Sequence, residues 1–393
     1  MTTRVGVFGL LGSGNLGNDG SADAVLAYLR AEHPDAVVSA LCGGPEWVGA
    51  RYGIAATRLN WYRDEYRTAS GVRSIAVKGF GKLVDIVRTA RWVRRQDAVI
   101  VPGMGVLEAT LPLRPWGFPY ALLLLCASGR LLGTRVALVG VGANVIGHRA
   151  TRVIVRTAAR LAAYRSYRDE LSRDAMRTMG VDVARDQVYP DLAFALPVPE
   201  VTTEFGTVGV GVMAYSGGND DRARGEEIHR DYVGKLTRFV RWLAGNGRSV
   251  RLFIGDQADT EVVDAILAAV DSPLVTTSPM STLDELMAAM ASVDTVVATR
   301  YHNVLCALKL AKPTVAIGYA KKNDVLMAEL GLGEFCQSAR AIDLDRLIAQ
   351  FTELENRSAE LRATLAERNA ALTERLKHQF TALSTVVLRK DRR

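Results

Sequence analysis

The chain has few of the side chains that usually carry metal or redox chemistry: only four cysteines and five histidines in 393 residues. Cys42, Cys126, Cys306 and Cys336 lie far apart, with no CxxC pair and no histidine at metal-ligand spacing. A disulfide framework and a zinc module are therefore not expected, and the cysteines read as reduced cytosolic thiols. Long hydrophobic runs are missing too. The most apolar stretch, residues 118–132, is interrupted by Ser128, Gly129 and Arg130 and is too short to span a bilayer, so it reads as a buried helix. The start, MTTRVGVFGL, runs into a strand pattern without a charged leader, apolar region and cleavage site, so a cytoplasmic location is expected. Aromatics make up 7%, and no basic stripe is interleaved with them. Nucleic acid is not an expected partner.

What is present fits a soluble α/β protein. Hydrophobic residues are 49% and charged residues 23%, and a chain of this length ordinarily divides into two domains. The net charge of +7 favours an anionic partner, either a phosphorylated metabolite or an anionic membrane surface.

Short β-branched or apolar runs alternate with helix-period segments, the pattern of parallel strands and crossover helices. Strands are predicted at 4–10, 36–41, 98–101, 135–141 and 163–167, with helices at 21–32, 84–95, 119–132, 151–163 and 171–179. The stretch 190–206 is rich in helix breakers. Beyond it the alternation resumes, with strands at 208–212, 249–254, 274–276, 295–299 and 314–317 and helices at 228–246, 259–270, 282–292 and 303–310. The expected fold class is two doubly wound, Rossmann-like domains in tandem, residues 1–200 and 206–342, with ligands at the carboxyl ends of the strands. Residues 343–393 are expected to form a charged surface helix with Leu347, Phe351, Leu354, Leu361, Leu365, Leu372 and Leu376 on one side. The basic end, residues 389–393, reads either as a solvated tail or as a contact for an anionic membrane face.

The chemistry-bearing motifs lie at strand ends. Gly12-Ser13-Gly14-Asn15-Leu16-Gly17 follows the first strand and matches the dinucleotide fingerprint literally. The second strand, however, ends Cys42-Gly43-Gly44, without the acidic residue that would hold a ribose. With Asn18-Asp19-Gly20 following, the helix is expected to start too late for a pyrophosphate turn, so the loop reads as a glycine turn presenting Asn15, Asn18 and Asp19. Glycine-rich loops also follow the third strand (Pro102-Gly103-Met104-Gly105) and the fourth (Gly140-Val141-Gly142). Nearby, His148 is either an acid–base group or a helix-start residue. Arg168 either binds an anion or pairs with Asp169 or Asp191. Between strand 295–299 and the following helix stands Thr299-Arg300-Tyr301-His302-Asn303, which places an arginine fork and a histidine together. Tyr319 to Lys322 add positive charge after the next strand.

Together the Gly-Asn-Leu-Gly-Asn-Asp loop, the Arg168-Asp169 and Pro190-Asp191 pairs, the Arg300-Tyr301-His302 triplet and the Tyr319-to-Lys322 spacing resemble the polysaccharide pyruvyl transferase family. The resemblance runs from the first strand to about Gly331. It implies a GT-B-like fold and transfer of pyruvate from phosphoenolpyruvate to a hexose as a cyclic ketal. It further implies Arg300, Arg168 and Lys322 at the donor, Asn15 and Asn18 at the acceptor, and His302, His148 and Asp19 as catalytic candidates. The 1–200 domain would then be the acceptor side and the 206–342 domain the donor side. No metal or cofactor is needed beyond phosphoenolpyruvate as co-substrate. The acceptor would be a saccharide or lipid-linked glycan in cell-envelope exopolysaccharide synthesis, and the oligomeric state stays open. The rival readings are a nucleotide-sugar glycosyltransferase, with Asp324 or Glu329 gripping a ribose, and a non-catalytic glycan-binding protein.

Overall fold

The computed structural model describes residues 3–62, 72–108 and 115–388; the basic end at 389–393 lies outside the described residues. The chain forms two compact units. The first comprises Met1–Ser13, Ser21–Leu192 and Arg375–Arg393, and the second Gly14–Gly20 and Ala193–Glu374.

The first unit is built on strands β1 (Arg4–Gly9), β2 (Val37–Cys42), β3 (Ala55–Arg58), β4 (Ala98–Pro102), β5 (Arg135–Val141), β6 (Tyr164–Tyr167) and β7 (Gln187–Val188). All are parallel, in the order β3-β2-β1-β4-β5-β6-β7. The second unit has β8 (Val208–Gly211), β9 (Val250–Phe253), β10 (Val275–Thr277), β11 (Thr295–Ala298), β12 (Thr314–Gly318) and β13 (Cys336–Ser338). These too are parallel, in the order β10-β9-β8-β11-β12-β13. Strands covered by helices on both faces are apolar throughout, and β4, β8, β11 and β12 are buried at every residue. In each unit the order reverses beside its first strand, between β1 and β4 and between β8 and β11. Such switch points open a crevice at the carboxyl ends of the strands, where doubly wound folds bind ligands.

The structure corrects the sequence reading in several places. Strands β3, β7 and β13 were not anticipated; each is an edge strand of four residues or fewer. An edge strand faces a neighbour on one side only and needs no continuous apolar run. The helices Pro45–Tyr52 and Lys321–Glu329 were also missed, and the third long helix begins at Val72. The first helix starts at Leu16, not at residue 21, because Asn15 Oδ1 accepts the Asn18 N–H at 3.2 Å and caps it. Asn18 and Asp19 therefore lie in its first turn, followed by Gly20 in the helix, instead of forming a loop.

The C-terminal segment is not a separate surface helix. It forms the helices Leu344–Asn356 and Ser358–Leu383, and all seven apolar residues named above are buried. Its residues up to Glu374 count with the second unit and the rest with the first. In the second unit Asn369 donates to the Leu308 and Lys309 carbonyls at 2.9 and 3.0 Å, and Arg362 reaches the Asp294 carboxylate at 2.5 Å. In the first, Gln379 donates to Ser166 at 2.9 Å and Phe380 stacks on Tyr28 with centroids 4.5 Å apart.

Two lysines are buried in the second unit. Lys309 donates to the Phe194 carbonyl at 2.7 Å, and Lys312 to the Ala291 carbonyl at 2.7 Å and to Thr203 at 2.9 Å. Burial pulls both ammonium groups down to about 8. The unfolded chain, with ordinary lysines near ~10.4, then binds more protons than the native state between these values, so these two groups contribute stability that rises with pH across that window. Burial of the Cys126 thiol, pushed up to about 12, acts in the opposite direction. The comparison is therefore made against Lys309→Met, in which the thiol contribution cancels. Urea unfolding of the two proteins should show the difference moving in favour of the parent from about pH 8 to 10, whereas a pH-independent difference would mean that Lys309 keeps its ordinary affinity for a proton.

Candidate functional site

In the second unit the centre of the strand-end region is Asp259, a carboxylate with no exposure. It lies in a one-turn 3-10 helix, Gln257–Asp259, which Asp256 caps by accepting the Ala258 N–H at 3.1 Å. Asp259 Oδ1 accepts the Ala214 N–H, beyond β8, at 2.8 Å; Oδ2 accepts those of Gly255 and Asp256, beyond β9, at 3.1 and 3.0 Å. The fourth partner is Arg300, beyond β11, whose Nε and Nη2 meet Oδ2 and Oδ1 at 2.9 and 2.6 Å. One carboxylate thus joins three strand ends at the switch point. Burial works against the Arg300 charge, but the hydrogen bonds and charge of Asp259 outweigh it and hold the guanidinium above the ordinary arginine value. Nη1 makes no hydrogen bond with the described residues, which leaves one edge of the fork for a ligand.

Arg300 occupies the N-cap position of the helix Tyr301–Lys309, so His302 stands in its first turn, at the positive end of the helix dipole. Packed against it is the Gly14–Gly20 segment. A Cβ on Gly17 would lie 1.9 Å from His302 Nδ1, so only glycine admits the imidazole here. Asn15 bridges to Asp256, Nδ2 to Oδ2 at 3.2 Å, and the Leu16 N–H donates to the Gly255 carbonyl at 3.3 Å. Asp19, in the same first helical turn, is buried, and the Asn18 side chain makes no hydrogen bond with the described residues. Beyond β12, Lys322 Nζ sits 5.4 Å from the centroids of both Tyr301 and Tyr319, a double cation–π contact.

The first unit carries a different set. Arg168, beyond β6, is almost wholly buried among three carboxylates: Glu108 at 2.5 Å, Asp191 at 3.5 Å and Asp169 at 3.6 Å. Gly142 makes room for this group, since a Cβ there would meet Glu108 Oε1 at 2.4 Å. Asp169 also caps its own helix, accepting the Ser172 N–H at 2.6 Å. His148 is exposed and caps the helix Arg149–Leu161, Nδ1 accepting the Thr151 N–H at 3.3 Å. It stands at the start of that helix.

The structure thus gathers Asn15, Asn18, Asp19, Arg300, His302 and Lys322 in the second unit, while Arg168 and His148 belong to the first. The division of acceptor residues to the N-terminal domain and donor residues to the C-terminal one does not hold for Asn15, Asn18 and Asp19. Sequence reasoning missed Asp259 and Glu108. Asp259 falls at the start of the predicted helix 259–270 and gives no motif of its own. Among the described residues no three His, Cys, Asp or Glu side chains are grouped to hold a metal ion.

Two Rossmann-like units, one of them presenting an arginine fork and a histidine at its switch point, define a GT-B-like protein. Solved structures share the fold at very low identity. The S. aureus MnaA structure with UDP gives a TM-score of 0.62 at 9% identity over 99% of both chains. The Neisseria meningitidis UDP-GlcNAc 2-epimerase bound to UDP-GlcNAc gives 0.62 at 11%, over 99% of this chain and 100% of that one. The UDP-GlcNAc 2-epimerase of Methanocaldococcus jannaschii gives 0.57 at 8%, over 90% and 92%. Comparison with curated proteins finds no match. The model of one family matches residues 15–321, and on that extent the chain belongs to the polysaccharide pyruvyl transferases, which makes it a transferase.

Removing the charge of Asp259 leaves Arg300 buried without its counter-ion and weakens the acceptor of three backbone N–H groups. Asp259→Asn should therefore lose about 3 kcal/mol of stability, read as a lower urea midpoint. A loss under about 0.5 kcal/mol would mean that the pair is not a structural anchor.

Proposed function

We propose that this transferase moves the pyruvyl group of phosphoenolpyruvate onto two hydroxyls of a saccharide, forming a cyclic ketal. Phosphoenolpyruvate carries a phosphate and a carboxylate. The observation that carries this reading is the Arg300 fork, held in one orientation by Asp259 with the Nη1 edge open, in the same turn as His302. A preorganised fork suits a carboxylate or phosphate oxygen pair and needs no rearrangement as charge develops. Lys322 and the positive end of the helix Tyr301–Lys309 add a field that favours an anion.

In the reaction the methylene carbon takes a proton and becomes the methyl group, and a sugar hydroxyl oxygen bonds to the neighbouring carbon. The C–O bond to phosphate breaks, and a second hydroxyl closes the ring. Of the two hydroxyl protons lost, one balances the methyl group and the other leaves with phosphate. His302 is the group placed to pass these protons, and Asn18 and Asp19 orient the acceptor hydroxyls from the adjoining helical turn. The acceptor is a polysaccharide or a lipid-linked glycan, and the place of action is the cytoplasm, at cell-envelope glycan synthesis. Arg168, surrounded by carboxylates, is better suited to hydroxyl groups than to the anionic donor.

Phosphoenolpyruvate at about a hundred times its Kd should stabilise the native state by about 2.7 kcal/mol and raise the melting midpoint, and Arg300→Lys, which keeps charge but loses the fork, should abolish the shift. The rival reading, a nucleotide-sugar donor, rests on the likeness to structures solved with UDP. A shift with UDP-sugars and none with phosphoenolpyruvate would replace the present proposal by that one. Gly17→Ala should keep donor binding while cutting phosphate release in the presence of acceptor at least about tenfold, because the displaced imidazole no longer meets the reacting carbon; unchanged turnover would remove His302 from the mechanism.

A further inference from the structure

The helix Val72–Val93 of the first unit is amphipathic in the reverse sense. Its polar Asp85 and Thr89 are buried, at 5% and 4% exposure, while Phe80, Leu83, Ile86 and Val87 stand 58, 62, 41 and 48% exposed. At helical spacing these four form one outward stripe. Trp61, itself 44% exposed, packs edge-on against Phe80 at 6.0 Å between centroids. Trp116, 62% exposed, packs on Tyr120, whose hydroxyl donates to the Lys82 carbonyl at 3.3 Å. The arrangement is anchored from below: Asp85 Oδ1 accepts the Trp61 N–H at 2.8 Å and pairs with Arg88 at 3.2 Å.

Charge is equally one-sided. Arg91 on this helix and Arg94 and Arg95 just beyond it are exposed, while Lys78 and Lys82 lie over the Tyr62 and Tyr120 rings at 5.7 Å, Arg88 pairs with Asp85, and Asp85, the helix's one acid in the sequence, is turned inward. Exposed aromatic and aliphatic side chains bordered by the exposed Arg91, Arg94 and Arg95 match the interface of an anionic bilayer, where apolar groups enter the headgroup boundary and cations meet lipid phosphate. A second copy of this chain is a poorer occupant, since a two-fold contact would set the same basic surface against itself. No described helix is long and apolar enough to cross a membrane, so contact would be peripheral.

We propose that the outward face of the helix Val72–Val93, with Trp61 and Trp116, docks this protein on an anionic lipid surface. The docking site is thereby placed on a folded helix and not on the basic end at 389–393, and it stands whichever donor the transferase uses. The test is flotation of the full chain with vesicles of zwitterionic phospholipid, with and without an anionic phospholipid. The expected result is salt-sensitive binding to the anionic vesicles alone. Leu83→Glu should weaken it at least about tenfold, and Phe80→Ser serves as the second variant should the first fail to fold. Arg91→Gln with Arg94→Gln and Arg95→Gln should weaken it and flatten its salt dependence. Removal of residues 389–393 should leave binding within about twofold. The proposal is overturned by no binding, by binding that Leu83→Glu and Phe80→Ser leave intact, by binding lost on removal of 389–393 alone, or by a solution dimer that Leu83→Glu dissociates.

Discussion

A buried aspartate and the arginine locked against it organise the second unit. The oxygens of a carboxylate without exposure must find partners inside the protein, and five donors from three strand ends meet those of Asp259. The loops after β8, β9 and β11 are held by one charge, at the point where the strand order reverses. Arg300 gains a fixed orientation that a surface arginine would lose to side-chain entropy. The same interaction holds the loops together and fixes Arg300, which presents only the edge that Asp259 does not occupy.

The first unit solves a related problem with the signs exchanged. Arg168 is the buried ion, and Glu108, Asp169 and Asp191 surround it, with Gly142 leaving space for the guanidinium and carboxylate to meet. Three carboxylates face one guanidinium there, whereas in the second unit Arg300 and Lys322 stand with Asp259, Asp256 and Asp19. Two domains of similar topology thus carry different strand-end sites, set by residues at strand ends and not by the fold.

The central architecture was legible in the chain because buried parallel strands must be apolar on both faces, and ten such runs stand out. Edge strands such as Ala55–Arg58 and Gln187–Val188 bury little and leave no run to find. The start of the first helix was misplaced for another reason: Gly17 and Gly20 look like loop residues, yet they lie in the helix and are glycine because His302 and Leu283 occupy the space where their Cβ atoms would be. Packing against side chains almost three hundred positions away overrode local propensity.

The sequence by itself determined the doubly wound class, the strand-end location of the motifs and the Arg300-Tyr301-His302 triplet, since periodicity and local residue chemistry are written in neighbouring positions. It also marked the apolar side of the C-terminal helices, from Leu347 to Leu376. Only the tertiary structure decided that Asp259 holds Arg300, that Gly17 abuts His302, that His148 is a cap, and that the stripe from Phe80 to Val87 points outward. Each of these depends on groups distant in the chain brought within a few ångströms, and such pairings leave no period or spacing to read.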